Sequence, residues 1–155
     1  MKKMESKFTT MLRKTFEERG GFFYKIPDAS SAQRFMIKKP FDVIACVNGR
    51  SVAIECKYLS EPKAFGISSL SEHQIDSLEK HAISGGLSLV VFECKFGPRD
   101  FRAIAFQLSH LKNLCKKSAM ATGLSIKKKH IEDFDWRKRY KQRYFNLLID
   151  IEFFL

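Results

Sequence analysis

The chain has 155 residues, 45% of them hydrophobic, with 15 Phe but only 8 Gly and 4 Pro. That is enough for one domain with a sizeable core, and it excludes a collagen-like, low-complexity or wholly disordered chain. Its 28 Lys and Arg exceed its 17 Asp and Glu, for a formal charge of +11, which favours an anionic partner, nucleic acid before an acidic membrane surface.

The first predicted element is a helix over residues 4–19, where Phe8, Met11, Leu12, Thr15 and Phe16 recur at helical spacing before Gly20-Gly21. The N-terminal Met-Lys-Lys-Met-Glu-Ser-Lys-Phe has no continuous apolar run of the signal-peptide kind. Phe22 to Ile26 reads as a short strand ending at Pro27, followed by a polar connection over Asp28 to Arg34. Phe41 to Val47 and Arg50 to Tyr58 are β-rich runs separated by Asn48-Gly49, the strongest short hairpin signal.

A loop is expected from Leu59 to Leu70. Ser71 then offers an N-cap for a helix reaching Ser84, with Ile75, Leu78 and Ala82 as its apolar stripe. Leu87 to Cys94 reads as a buried strand and Phe101 to Phe106 as another, with a short helix over 107–117. Phe145 to Leu155 closes the chain as a strand or packed tail. The order α-β-β-β-α-β-β predicts a single α/β domain over 1–155, a mixed sheet flanked by helices, with a basic C-terminal segment over about 109–155. No stretch approaches the ~20 apolar residues of a membrane span. Cys46, Cys56, Cys94 and Cys115 form no CxxC pair and read as buried reduced thiols, which suits a cytoplasmic protein of bacterial or viral origin.

Glu-x-Lys occurs four times, so the tripeptide alone carries no signal. Only Glu55-Cys56-Lys57 lies late in a strand that follows a hairpin turn and has an acid on the partner strand. A two-residue turn at Asn48-Gly49 pairs Val47 with Arg50 and, continued, Asp42 with Glu55. Opposed residues hold their Cβ atoms about 4.5–5.5 Å apart, and like charges there are destabilising unless something positive intervenes. A divalent cation is the obvious candidate. Strand alternation puts Glu55 and Lys57 on one face, with Val52, Ile54 and Cys56 on the other. Two carboxylates holding a metal beside an ammonium suit phosphodiester cleavage: the cation neutralises phosphate and activates water, and Lys57 orients that water or stabilises developing charge. The competing reading is a solvated hairpin face. Glu93-Cys94-Lys95, without an acidic partner before it, reads as a strand end emerging into solvent.

Pro40-Phe41-Asp42, twelve residues, then Glu55-Cys56-Lys57 resembles the PD-(D/E)xK nuclease signature. Adding Asn48-Gly49-Arg50, Glu72-His73-Gln74-Ile75, Gly85-Gly86-Leu87 and Val90-Val91-Phe92, the stretch from about 5 to 112 resembles the RecU-type Holliday junction resolvases. The resemblance implies a restriction-endonuclease-like fold, Mg²⁺ dependence with Mn²⁺ able to substitute, and a homodimer making paired nicks in four-way DNA. It makes Asp42 and Glu55 metal ligands, Lys57 the catalytic lysine, Gln74 a helix residue facing the site and Glu5 the acid of the first helix. The competing readings are a first-turn residue making local hydrogen bonds for Gln74 and a charge favourable at a helix N-terminus for Glu5.

One departure from that family is the absence of a long insertion between the first two strands; only about Pro27 to Lys39 is available, where Arg34, Lys38 and Lys39 could contact DNA. From Ser109 onward 11 Lys or Arg face 5 Asp or Glu. Lys127, Lys128, Lys129, Arg137 and Arg139 are interleaved with Trp136 and Tyr140 in a pattern suited to a phosphate backbone, while Trp136 taken alone reads as packed inward. Three readings stand: a structure-selective endonuclease acting on branched DNA, a general repair or restriction-like nuclease acting on duplex DNA, and a non-catalytic DNA-binding module.

Overall fold

A computed structural model of the chain describes residues 2–28, 38–117, 125–131, 134 and 136–138, without the side chains of 2–6, 137 and 138. The N-terminal helical pattern forms α1, Lys2–Glu17, and its stripe of Phe8, Leu12 and Phe16 is buried. Strand β1, Phe22–Lys25, follows. The hairpin forms where the sequence places it, from β2 (Val43–Val47) and β3 (Arg50–Leu59). Asn48 at φ 49° and Gly49 at φ 74° supply the two left-handed positions that a type I′ turn requires. The register runs from Val47–Arg50 to Val43–Ile54.

After β3 come β4 (Phe65–Gly66), a 3₁₀ turn at Ile67–Ser69, α2 (Glu72–Ile83), β5 (Leu87–Gly97) and β6 (Asp100–Gln107). Then follow α3 (Leu108–Lys117), β7 (Ser125–Ile126), a 3₁₀ turn at Lys128–His130 and β8 (Arg137–Lys138). The main sheet has the order β1-β2-β3-β5-β6-β8. Among the described residues only β3 and β5 pair in parallel, joined by the α2 crossover; the other neighbouring pairs are antiparallel. This is the mixed α/β architecture expected.

Each face of the sheet carries its own core. Against α1 lie Val43, Ala45, Val52, Ile54, Leu89 and Val91. On the opposite face Ala53, Val90, Phe92 and Phe106 pack with Leu78 of α2 and Leu108 and Leu111 of α3. Burial on both faces explains why β5 reads as a continuous apolar run. Residues 59–70, expected as loop, instead include β4, which pairs with β7. Phe65 drives this: it is fully buried among Phe92, Phe106, Phe134 and Trp136. Trp136 points inward, and its indole N–H donates to the Ile131 carbonyl at 2.6 Å.

Glu93 corrects another expectation. It does not emerge into solvent; it is 1% exposed in mid-strand, because β5 is flanked there by Tyr58 of β3 and Ala103 of β6. None of the four cysteines is in a disulfide; Cys94 and Cys115 are buried, whereas Cys46 and Cys56 are half-buried. Burial pushes the Cys94 thiol up to about 11. Among the described residues no helix is long and apolar enough to cross a membrane. The closing segment 145–155 and most of the 27–39 connection lie outside the described residues.

Candidate active site

Asp42 sits one residue beyond the last regular pair of the hairpin, and three backbone groups fix it. Its N–H donates to the Ile54 carbonyl at 3.1 Å, its carbonyl accepts the Ile26 N–H at 2.8 Å, and Oδ2 accepts the Cys56 N–H at 2.9 Å. The regular ladder therefore stops short of pairing Asp42 with Glu55, and the Asp42 carboxylate reaches along β3 past Glu55. The two acids still share one electrostatic environment. Burial, and then the Asp42 charge, push the Glu55 carboxyl up to about 7, against the opposing pull of Lys57 and Lys39.

Glu55 is only 2% exposed. Its Oε1 accepts from Lys57 Nζ at 2.9 Å and from Gln74 Nε2 at 2.6 Å. Its Oε2 is buried and, among the described residues, has no hydrogen-bond partner. Lys57 Nζ also lies 3.3 Å from Gln74 Oε1, so strand alternation does bring Glu55 and Lys57 to one face, the face that α2 covers. Gln74 both contacts Glu55 and makes the local hydrogen bonds of a first-turn residue. It is the third residue of α2, its backbone N–H donating to Ser71 Oγ while its own Oε1 accepts the Ser71 N–H.

A second anchor holds α2 two turns further on. His81 Nε2 lies 2.8 Å from Ser51 Oγ, and Nδ1 lies 2.9 Å from Ser88 Oγ. Ser88 donates its own proton to the Leu78 carbonyl at 2.7 Å, so Nδ1 carries the imidazole proton and Nε2 accepts from Ser51. Burial lowers the His81 pKa and favours this neutral ring. Gly86 makes room for it: a Cβ there would fall 2.1 Å from a ring carbon. The helix is thus tied to β3 at both ends, through Gln74 to Glu55 and through His81 to Ser51.

Lys39 takes a place that sequence reasoning missed. Rather than standing free, its Nζ lies 2.6 Å from Asp42 Oδ1 and 2.6 Å from Asp28 Oδ1. Burial opposes its charge, but the hydrogen bonds to Asp28 and Asp42 outweigh that and raise its pKa. Its position three residues before Asp42 was the available signal; nothing in the sequence marks Asp28. Lys38 is exposed, and its carbonyl accepts from His73 Nε2 at 3.1 Å.

These residues suit a hard divalent cation. Asp42 and Glu55 offer carboxylate oxygens, one of them buried without a partner. Among the described residues no third His, Cys, Asp or Glu completes a cluster. Two carboxylates, with water and substrate phosphate filling the remaining positions, match the way Mg²⁺ is usually held.

Other candidates lie elsewhere. Lys127, Lys128 and Lys129 adjoin the 3₁₀ turn after β7, with Lys128 and Lys129 exposed. Arg137 contributes backbone to β8, opposite Ala103. The Glu5 side chain, Arg34 and Arg139 fall outside what the structure describes.

No family model matches this chain, and no curated protein sequence does. A solved structure does match: Hjc from Archaeoglobus fulgidus, a Holliday junction resolvase from an archaeal hyperthermophile, at a TM-score of 0.51 and 15% identity. The match covers 88% of this chain and 97% of that one. The fold is restriction-endonuclease-like. At that identity the likeness is one of fold.

Proposed function

We propose that this chain is a metal-dependent DNA endonuclease selective for branched DNA: a Holliday junction resolvase, of the RecU type its motifs resemble. The observation that carries this reading is the buried Oε2 of Glu55, which has no hydrogen-bond partner among the described residues, set beside Asp42 and 2.9 Å on its other oxygen from Lys57. A carboxylate is costly to bury in that state unless a cation is meant to meet it. The fold shared with a resolvase and the net charge of +11 support the same reading.

Asp42 and Glu55 would hold Mg²⁺, or Mn²⁺ in its place, which when bound supplies charge to neutralise phosphate and acidifies a coordinated water. The protein's own groups do the rest. Lys57, partly exposed beside Glu55, can donate to the attacking water or to a phosphate oxygen as charge develops there. Gln74 fixes the orientation of Glu55. Glu5 would contribute from α1, and Arg34, Lys38, Lys127, Lys128, Lys129, Arg137 and Arg139 would contact phosphates and position the substrate without reading bases. Two equivalent centres in a homodimer would serve two opposed strands.

The test is cleavage of a synthetic four-way junction beside a linear duplex of the same sequence, with and without Mg²⁺, for the native chain and Asp42→Asn. Paired nicks confined to the junction and dependent on Mg²⁺ are expected. The Asp42 variant should retain binding and lose nearly all turnover. Equal cutting of the duplex would favour a general nuclease instead, a reading supported by the short connection between β1 and β2, residues 26–42. Unchanged cleavage by Asp42→Asn would remove the metal site.

A further inference from the structure

Four carboxylate oxygens belong to the acidic pair, and three carry partners. Glu55 Oε1 takes Lys57 and Gln74, Asp42 Oδ2 takes the Cys56 amide, and Asp42 Oδ1 takes Lys39. A cation shared by both acids needs an oxygen from each. On Glu55 the buried Oε2 is open. On Asp42, the Cys56 amide is built into β3, whereas the Lys39 ammonium sits at the end of a flexible side chain. Its charge, 2.6 Å from Oδ1, repels any cation that approaches.

Lys39 also has somewhere to go. Its second partner, Asp28 Oδ1, is equally close at 2.6 Å and belongs to a side chain 81% exposed, while Asp42 is 13% exposed. The two ammonium groups balance the two acids as the site stands. Adding a doubly charged ion offsets both acids by itself and leaves both ammonium groups in excess; Lys57 is held by two partners on the same face. Lys39 is the one with an outward carboxylate.

We propose that Lys39 is an internal counter-ion that occupies Asp42 until a divalent cation binds, and then withdraws onto Asp28. This rests on reading Asp42 and Glu55 as a cation pair. It assigns to Lys39 a positioning role: it screens Asp42 from Glu55 in the metal-free protein, at the expense of metal affinity.

The test measures Mg²⁺ and Mn²⁺ binding to the full chain without DNA, by calorimetry. Native protein is compared with Lys39→Met, with Lys38→Met as a variant of equal charge change at an exposed neighbour, and with Asp42→Asn. Lys39→Met should bind roughly tenfold more tightly than native, and Lys38→Met should stay within about twofold. Metal should also raise the melting temperature of Lys39→Met by more than that of native protein. Should Lys39→Met fold only with metal, Lys39→Gln, which keeps a hydrogen bond to Asp42, takes its place. Equal affinities for the Lys38 and Lys39 variants, with binding abolished by Asp42→Asn, would overturn the counter-ion role and leave the metal site standing. No binding by any of the four proteins would instead defeat the metal reading, and this role with it.

Discussion

Gln74 joins Glu55 to the start of α2 through a single amide group: Nε2 donates to Glu55 Oε1 at 2.6 Å while its oxygen accepts the Ser71 N–H at 3.0 Å. Helix capping and the support of a buried acid are therefore one device. Anything that loosens the first turn of α2 also loosens Glu55, and His81, two turns along, keeps the helix from sliding relative to β3.

Gln74→Ala removes both functions. It should lower stability by about 1 kcal/mol, the usual cost of a lost cap, and slow junction cleavage by more than that loss explains. Gln74→Glu can still accept from Ser71 but places a second acid against Glu55. Without metal it should be less stable than native protein, because the two acids repel, and Mg²⁺ should raise its melting temperature by more than that of native protein. Thermal melts with and without Mg²⁺ check the pair, and a metal-free Gln74→Glu as stable as native protein would show that the amide does not support Glu55.

The raised Glu55 pKa, about 7 in the folded protein against an ordinary 4.5, has a definite sign for stability. The folded state holds its proton more tightly than the unfolded state, so this contribution is fully present below about pH 4.5. It is lost as pH rises through 7. Without metal, Glu55→Gln should therefore gain stability relative to native protein between pH 5 and pH 8, by roughly 1–3 kcal/mol. Denaturant melts at the two pH values measure it; a flat difference would place the titration elsewhere. Metal affinity should move the other way, rising with pH because the cation competes with that proton.

Lys57→Met keeps the aliphatic stem and removes the charge. Turnover on the junction should fall by roughly 10²–10⁴, the range for a lost acid–base or charge-stabilising group, with junction affinity within a few-fold of native. Single-turnover cleavage at saturating protein separates the two quantities. A loss confined to affinity would make Lys57 a phosphate contact only.

Binding of DNA should weaken with salt by about 0.9 log units per phosphate neutralised and per log unit of salt. Replacing the exposed Lys128 and Lys129 together should reduce that slope by about 2 without altering cleavage at saturation. An unchanged slope would exclude the turn after β7 from the DNA path.

Much of the framework was legible because it depends on local rules. Asn48-Gly49 dictates a turn with two left-handed residues, and the turn dictates a register that leads toward Asp42 and Glu55 from any starting fold. Ser71 announced the start of α2 in the same way. Glu93 was misread because its residue pattern resembles a strand end, whereas a strand stops where its neighbours stop. Here β3 and β6 both continue past it. Phe65, in a stretch that reads as loop, is buried because four aromatic rings from distant segments meet around it.

By itself the sequence determined the α/β order, the hairpin register and the candidate trio of Asp42, Glu55 and Lys57, since each follows from spacing within a few residues. The tertiary structure alone decided that Glu55 is buried with one oxygen open, that Gln74 reaches it from α2, and that Lys39 spans Asp28 and Asp42. Those contacts join segments brought together by chain folding, and their strength comes from exclusion of water, which no spacing rule encodes.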